Sequence, residues 1–399
     1  MAAGSGFDPA SVARTLTAFR MRRPWQPVPL DAPVPVEALP TPSLLVDVDQ
    51  LERNLAHMAS YLGARGKGVR AHAKMHKSPI IALRQLELGA VGICAAKLAE
   101  AETLHAAGVE DILLTSPVTT PDRFVRLAAL AALSPGRVWT VVDDADMARA
   151  LAAAAAAVGA RIDVLIDVDP DMGRTGVRGA EGVLALAAEL ASMPALRLRG
   201  IQQYAGQVMH IRDHAERKAR SEAHWASGLA IRDRLRASGF PVEIVTGGGT
   251  GTFDIDAEIA GITDLQVGSY AFMDEEYLQI EGAGTPRFEA FPPSLFVLAS
   301  VVSRPRSGAV TLDAGLKSFA SETVAPVPVS HAGTRFRFAG DEHGILILDG
   351  QNAAPALGER VRLVTSHCDP TVNLYDVMYP VRDGMVSELW PIAARGAAY

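Results

Sequence analysis

From about residue 43 to residue 270, short apolar runs alternate with stretches whose apolar residues recur at helical spacing. The runs that read as strands are Ser43–Val48, Val69–Lys74, Gly92–Ala96, Asp111–Thr115, Arg137–Val142, Ile162–Val168, Leu198–Tyr204, Val242–Thr246 and Leu265–Gly268. Between them, patterns such as Asp49–Leu62, Leu98–Ala107, Asp144–Val158 and His214–Ser238 read as helices. Regular strand–helix alternation predicts a parallel sheet with helices outside it. Setting aside the first run leaves eight strands, the number that closes a (β/α)8 TIM barrel, and this α/β architecture is the expected fold. An open doubly wound sheet is the alternative. No Gly-x-Gly-x-x-Gly follows the first strand, so a dinucleotide-binding reading is weak.

After about residue 290 the texture changes. The runs Ser294–Val302, Ala309–Asp313, Thr334–Phe338, Gly344–Leu348, Val361–Thr365 and Val377–Val381 are short, β-rich and separated by Gly, Pro and Asp turns. A second, all-β domain is expected there. The chain divides accordingly into residues 1–48, an N-terminal extension and a strand that joins the β domain; 49–288, the barrel; and 289–399, the C-terminal β domain. Seven prolines between Pro24 and Pro42 predict that the extension wraps a surface in extended form.

Charge and cysteine usage narrow the partners. The formal charge of −7 is spread thinly and basic residues form no dense stripe, which argues against nucleic acid. The alanine-rich run Ala150–Ala160 is too short to span a bilayer, and the start of the chain lacks the apolar core of a signal peptide. With only Cys94 and Cys368, a reducing cytoplasm is the expected compartment. There are six lysines, at positions 67, 74, 77, 97, 218 and 317, against a much larger number of arginines. Where a cation suffices this chain usually writes Arg, so each lysine prompts a question.

In a parallel barrel, functional groups collect at the C-terminal ends of strands. The seventh strand opens into Thr246-Gly247-Gly248-Gly249-Thr250-Gly251 and the eighth into Gly268-Ser269-Tyr270. Successive glycines let consecutive N–H groups converge on a phosphate, and Thr250 and Ser269 add hydroxyl donors. The bland alternative is a flexible turn, but two adjacent loops carry the same chemistry. The first strand ends in His72-Ala73-Lys74-Met75-His76-Lys77. A Schiff base needs an amine that can lose its proton, which arginine cannot do. Cationic neighbours His72, His76 and Lys77 are expected to depress the Lys74 pKa. The cradle, the strand-end lysine and the later Arg174 together suggest pyridoxal 5'-phosphate. In the second domain, an extended Ser366-His367-Cys368-Asp369-Pro370 turns His367 and Asp369 to one side and Cys368 to the other. An imidazole and a carboxylate, completed by waters, suit Mn²⁺ or Mg²⁺.

Read in order, these segments resemble a known family. They are Thr41-Pro42-Ser43-Leu44, His72-Ala73-Lys74-Met75-His76-Lys77, Gly173-Arg174-Thr175-Gly176-Val177, Gly247 to Gly251, Gly268-Ser269-Tyr270-Ala271-Phe272-Met273-Asp274, Asp313-Ala314-Gly315-Leu316-Lys317, Asp341-Glu342-His343-Gly344 and His367-Cys368-Asp369-Pro370-Thr371. From about Thr41 to Arg395 the chain resembles the D-threonine aldolase and D-serine dehydratase family, which carries an alanine racemase-like N-terminal barrel. The resemblance implies that Lys74 carries the cofactor and Arg174 contacts its phenolic oxygen. It further implies that Gly249, Thr250, Ser269 and Tyr270 hold the phosphate, with Tyr204 near the ring. It places a divalent metal on His367 and Asp369, His210 close to the substrate's β-hydroxyl, and the active sites in a homodimer.

Within the family, dehydratases that use zinc resemble a His-x-Cys pattern and aldolases a His-x-Asp pattern. His367-Cys368-Asp369 therefore implies a manganese- or magnesium-dependent aldolase cleaving β-hydroxy-D-amino acids to glycine and an aldehyde. The segments Asp169–Gly173 and Gln203–Met209 depart from the family's pattern and leave the substrate side chain open. The rival readings are a dehydratase of D-serine or 3-hydroxyaspartate and, from another class, a non-catalytic pyridoxal-phosphate carrier.

Overall fold

Two strands, β1 (Val28–Pro35) and β2 (Ser43–Asp47), precede the alternating segment. Eight parallel strands follow: β3 (Gly68–His72), β4 (Gly92–Ala95), β5 (Ile112–Leu114), β6 (Val138–Val142), β7 (Ile162–Asp167), β8 (Leu196–Gln203), β9 (Ile244–Gly247) and β10 (Asp264–Leu265). They close in chain order, with β10 returning to pair with β3 through Asp264↔Gly68. This closure excludes the open sheet. The computed structural model describes residues 25–320, 324–350 and 354–399; the first part of the N-terminal extension, Pro24 included, lies outside the described residues.

The period-two alternation of a strand sorts each run into two faces. Ile93, Ala95, Ile112, Leu114, Val164 and Ile166 join the main core against the surrounding helices. Their alternates Cys94, Leu113, Trp139, Val141 and Leu165 form a separate cluster inside the barrel. Deeper in, the Arg70 guanidinium bonds Asp111 at 2.9 Å and Asp264 at 3.1 Å and lies 5.4 Å from the Trp139 ring. The interior of the barrel is thus filled by side chains.

The helix Val48–Gly63 starts with the Asp47 carboxylate accepting the Gln50 N–H, a cap that satisfies one orphan donor. Strand β2, just before it, pairs with the second domain: antiparallel to β11 (Leu295–Arg306) at Leu45↔Phe296 and parallel to a later strand at Tyr379↔Leu45. The remaining strands are β12 (Ala309–Leu312), β13 (Val327–Pro328), β14 (Arg335–Phe338), β15 (Gly344–Ile347), β16 (Arg360–Val364), β17 (Val377–Val381) and β18 (Met385–Pro391). The main sheet order is β1-β18-β17-β2-β11-β12-β15-β14, with β16 branching from β11. Within β1, Pro29, Pro33 and Pro35 sit on an edge strand, where a missing N–H costs no ladder bond. Sequence reading missed β1, β13 and β18. It also missed a short helix, Cys368–Val372, inside the domain expected to be all-β.

Candidate active site

A cavity of about 660 Å³ opens at the C-terminal ends of the barrel strands. One wall is built by the loops after β9 and β10, where Gly249, Thr250, Gly268 and Ser269 line the space. Larger residues would be strained or crowded there. Gly248 holds φ +65°, and a Cβ on Gly249 would stand 2.8 Å from the Met209 sulfur. Thr250 Oγ1 accepts the Tyr270 N–H at 3.0 Å, tying the two loops together and leaving the hydroxyl proton free to donate. Beneath them the Asp256 carboxyl accepts Ser221 Oγ and Thr252 Oγ1, each at 2.5 Å, and burial pushes it up to about 7. Small residues, converging hydroxyls and a tied backbone give this wall the chemistry that a phosphate group requires.

Tyr270 differs from expectation. Its side chain is 1 % exposed, its hydroxyl accepts Gln85 Nε2 at 3.0 Å, and its ring packs 5.7 Å from that of Phe291. Among the described residues its side chain does not line the cavity.

Lys74 lies two residues beyond its strand, in a 3-10 turn over Ala73–Met75, and lines the same cavity. The sequence argument about its pKa is overturned. Burial drives the His72 imidazole well below its ordinary value and lowers His76 to about 4, so neither is cationic near neutrality. The Lys77 ammonium is paired with Glu100. Instead, Lys74 Nζ meets Asp369 Oδ1 at 3.3 Å, and that carboxylate raises Lys74 above the usual lysine range. The reciprocal effect holds Asp369 below the carboxylate range despite its burial, with the Lys74 ammonium as the main cause.

Asp369 reaches this position from the first turn of Cys368–Val372, with His367 capping that helix. The extended His-x-Asp geometry is therefore replaced by a helix start. The two side chains still converge, His367 Nε2 and Asp369 Oδ2 standing 3.7 Å apart, and Glu276 Oε2 lies 3.7 Å from His367 Nδ1. Cys368 does not turn away from the pair as expected: its buried thiol lies 3.5 Å from Asp369 Oδ2. Among the described residues, no group of three or more His, Cys, Asp or Glu side chains is placed to hold a metal ion. The pair offers one nitrogen and one oxygen donor, a set that fits a hard divalent cation completed by water or substrate oxygens.

The helix-start geometry depends on Asp274. Its buried carboxylate accepts the Tyr277 N–H at 3.1 Å and the Cys368 N–H at 2.8 Å, joining the barrel's last loop to the second domain. The Glu275 N–H bonds Thr365 O at 3.0 Å and the Glu276 N–H bonds Ser366 O at 3.2 Å, completing the clamp. Asp274→Ala leaves two buried donors unpaired and is expected to destabilise the protein by roughly 2–4 kcal/mol, measured by denaturant unfolding.

Arg174 and Tyr204 line the cavity from the loops after β7 and β8, the guanidinium 5.3 Å from the phenol ring centre. His210 stacks on Tyr277 with ring centroids 4.4 Å apart. Desolvation lowers its pKa, opposed by the Glu276 carboxylate, so it is mostly neutral at pH 7. Sequence reading missed the loop after β5, where Thr115, Ser116 and Thr119 line the cavity, and also Asp143, Gln266 and Tyr277. Position at a strand end was the signal available for Thr115 and Asp143.

One pH effect follows from His76. Its Nδ1 accepts the Ser78 N–H at 3.0 Å and it is fully buried. Its folded pKa of about 4 lies below the unfolded value, so the unfolded chain takes up the proton first as pH falls. Its contribution is complete above the unfolded pKa of about 6.5 and is lost as pH falls toward the folded one, on the order of 3 kcal/mol. Urea unfolding between about pH 7.5 and pH 4.5 measures it, and His76→Gln is expected to flatten the slope.

Comparisons with known proteins agree with this two-domain architecture. The family model described as "Alanine racemase, N-terminal domain" matches residues 46–276, and "Putative serine dehydratase domain" matches residues 294–381. The chain is 42% identical over 372 residues to a D-threonine aldolase of Arthrobacter sp, covering 93% of this chain and 96% of that one. It is 37% identical over 363 residues to a 3-hydroxy-D-aspartate aldolase of Paracoccus denitrificans (strain Pd 1222), covering 90% and 93%. The crystal structure of D-threonine aldolase from Filomicrobium marinum superposes with a TM-score of 0.88 at 39% identity, over 93% of this chain and 100% of that one.

Proposed function

Because this chain belongs to the alanine racemase-like family of pyridoxal-phosphate lyases that includes D-threonine aldolase, and is itself an aldolase, we propose that it cleaves β-hydroxy-D-amino acids between Cα and Cβ, giving glycine and an aldehyde. The observation that carries the residue assignment is the meeting of Lys74 and Asp369 at 3.3 Å, which brings the cofactor lysine of one domain onto the His-x-Asp pair of the other. Pyridoxal phosphate supplies the electron sink for the pair released from the Cα–Cβ bond.

The chain's own groups do the rest. Lys74 gives the amine that carries the cofactor, and Gly249, Thr250 and Ser269 with the Tyr270 backbone hold its phosphate. Arg174 and Tyr204, which line the same cavity, would contact the bound cofactor's phenolic oxygen and ring. His367 and Asp369 hold a divalent cation, Mn²⁺ or Mg²⁺, whose chemistry is to acidify the β-hydroxyl. His210, neutral at working pH, accepts the proton from the β-hydroxyl oxygen. The acting unit in this reading is a cytoplasmic homodimer. Both cysteines are buried and free, and among the described residues no helix is long and apolar enough to cross a membrane.

The test is aldehyde release from paired D and L β-hydroxy-amino acids, with Mn²⁺ and with EDTA. Aldehyde from the D series alone, abolished by EDTA, is expected. Release from the L series at an equal rate, or none from any D substrate, overturns the proposal.

A further inference from the structure

Five of the six lysines have evident partners. The Lys67 ammonium donates to Ile259 O and Ile262 O, both at 2.8 Å; Lys74 meets Asp369; Lys77 meets Glu100. Lys218 pairs with Glu222 and Lys317 with Glu342. Lys97 alone has neither an ion pair nor a side-chain hydrogen bond among the described residues, and its exposed side chain lines the active-site cavity. Its nearest acid in sequence, Glu100, is fully engaged. One oxygen takes the Lys77 ammonium, and the other accepts the N–H groups of Ala96 at 2.9 Å and Lys97 at 3.2 Å. The carboxylate that starts this helix therefore binds the Lys97 backbone and leaves its ammonium without a counter-ion.

The wall beside Lys97 has matching chemistry. Ser116 and Thr119, from the loop after β5, line the same cavity and offer hydroxyl donors. This corner stands on β4 and β5, whereas the phosphate cradle stands on β9 and β10. An apolar substrate group filling the corner would cover the ammonium without compensation. A carboxylate there forms charge-assisted bonds to it.

Building on the aldolase reading, we propose that Lys97, Ser116 and Thr119 form a subsite for a carboxylate carried on the substrate's Cβ. The preferred substrate is then a β-hydroxy-D-amino acid with an anionic side chain rather than an alkyl or aryl one.

The decisive quantity is a ratio: kcat/KM for 3-hydroxy-D-aspartate over kcat/KM for D-threonine, in wild-type holoenzyme and in K97M. A ratio that falls roughly 10–100-fold in K97M is expected from loss of one charge-assisted contact that the bound substrate shields from water. K97R, which keeps the charge, should retain most of the ratio, and K97Q provides a second neutral variant. An unchanged ratio, including an equal fall on both substrates, overturns the subsite, because Lys97 would then serve a group common to all substrates. Weakened cofactor retention in K97M overturns it too, assigning Lys97 to the phosphate. A second readout needs no turnover. D-malate, with two carboxylates, should bind wild type more tightly than D-2-hydroxybutyrate, and K97M should erase that preference. If wild type cleaves neither amino acid yet keeps the malate preference, the aldolase reading fails while the anion subsite stands.

Discussion

Lys74→Ala is expected to yield a folded protein that no longer retains cofactor, loses the cofactor's visible absorbance and drops in turnover on the order of 10⁴-fold or more. Three features support this outcome. Lys74 lines the cavity alongside the cradle residues Gly249, Thr250 and Ser269. It sits on a turn fixed by neighbours on both sides, with the His76 N–H bonded to Ala73 O at 3.2 Å. None of the other five lysines takes the same place: Lys97 is the one other lysine that lines the cavity, and it stands on a different strand end. Lys74→Arg should fail equally, although it preserves the ion pair with Asp369, because guanidinium does not lose its proton at accessible pH. Absorbance spectroscopy of the purified variants decides the matter, with circular dichroism confirming the fold. Retained absorbance in either variant assigns the cofactor to another residue.

The second large effect falls on the His367–Asp369 pair. Each of His367→Ala and Asp369→Ala is expected to lower kcat/KM by roughly 10²–10³-fold while leaving cofactor absorbance in place. Their residual activity should no longer respond to EDTA or added Mn²⁺, since the donors that make turnover metal-dependent are gone. Asp369→Ala carries an additional signature. The Asp369 carboxylate is the main cause of the raised Lys74 pKa, so its removal should shift the pH dependence of cofactor attachment downward. Metal content measured on the purified variants separates this account from a purely structural role. A variant that keeps wild-type metal affinity excludes the pair as ligands.

The barrel was legible in sequence because its signal is periodic: eight apolar runs spaced by helices leave few topologies, and β3 to β10 fall within a few residues of the expected strands. The cradle was legible because glycine runs and hydroxyls are local chemistry. What sequence could not convey was electrostatics set by distant partners. Lys74 was read through its neighbours in sequence, of which burial keeps His72 and His76 neutral and Glu100 pairs with Lys77, whereas the charge that governs it arrives from Asp369 in the other domain. The same cause hid the clamp at Asp274, whose partner Cys368 is remote in sequence. The helix Cys368–Val372 escaped notice because five residues between strands give no periodic signal, and its start is fixed by tertiary hydrogen bonds. Tyr270 was placed on the phosphate by its position in a motif, yet its ring fills the space between Gln85 and Phe291.

The bond that breaks can be observed directly. D-threonine and 3-hydroxy-D-aspartate, each carbon-13 labelled at Cα, are incubated with the manganese-loaded holoenzyme and followed by NMR. Cleavage between Cα and Cβ predicts that the label appears in glycine, with acetaldehyde or glyoxylate released in equal amount. Label in 2-oxobutanoate or oxaloacetate, accompanied by ammonia, would contradict the account and make the protein a dehydratase.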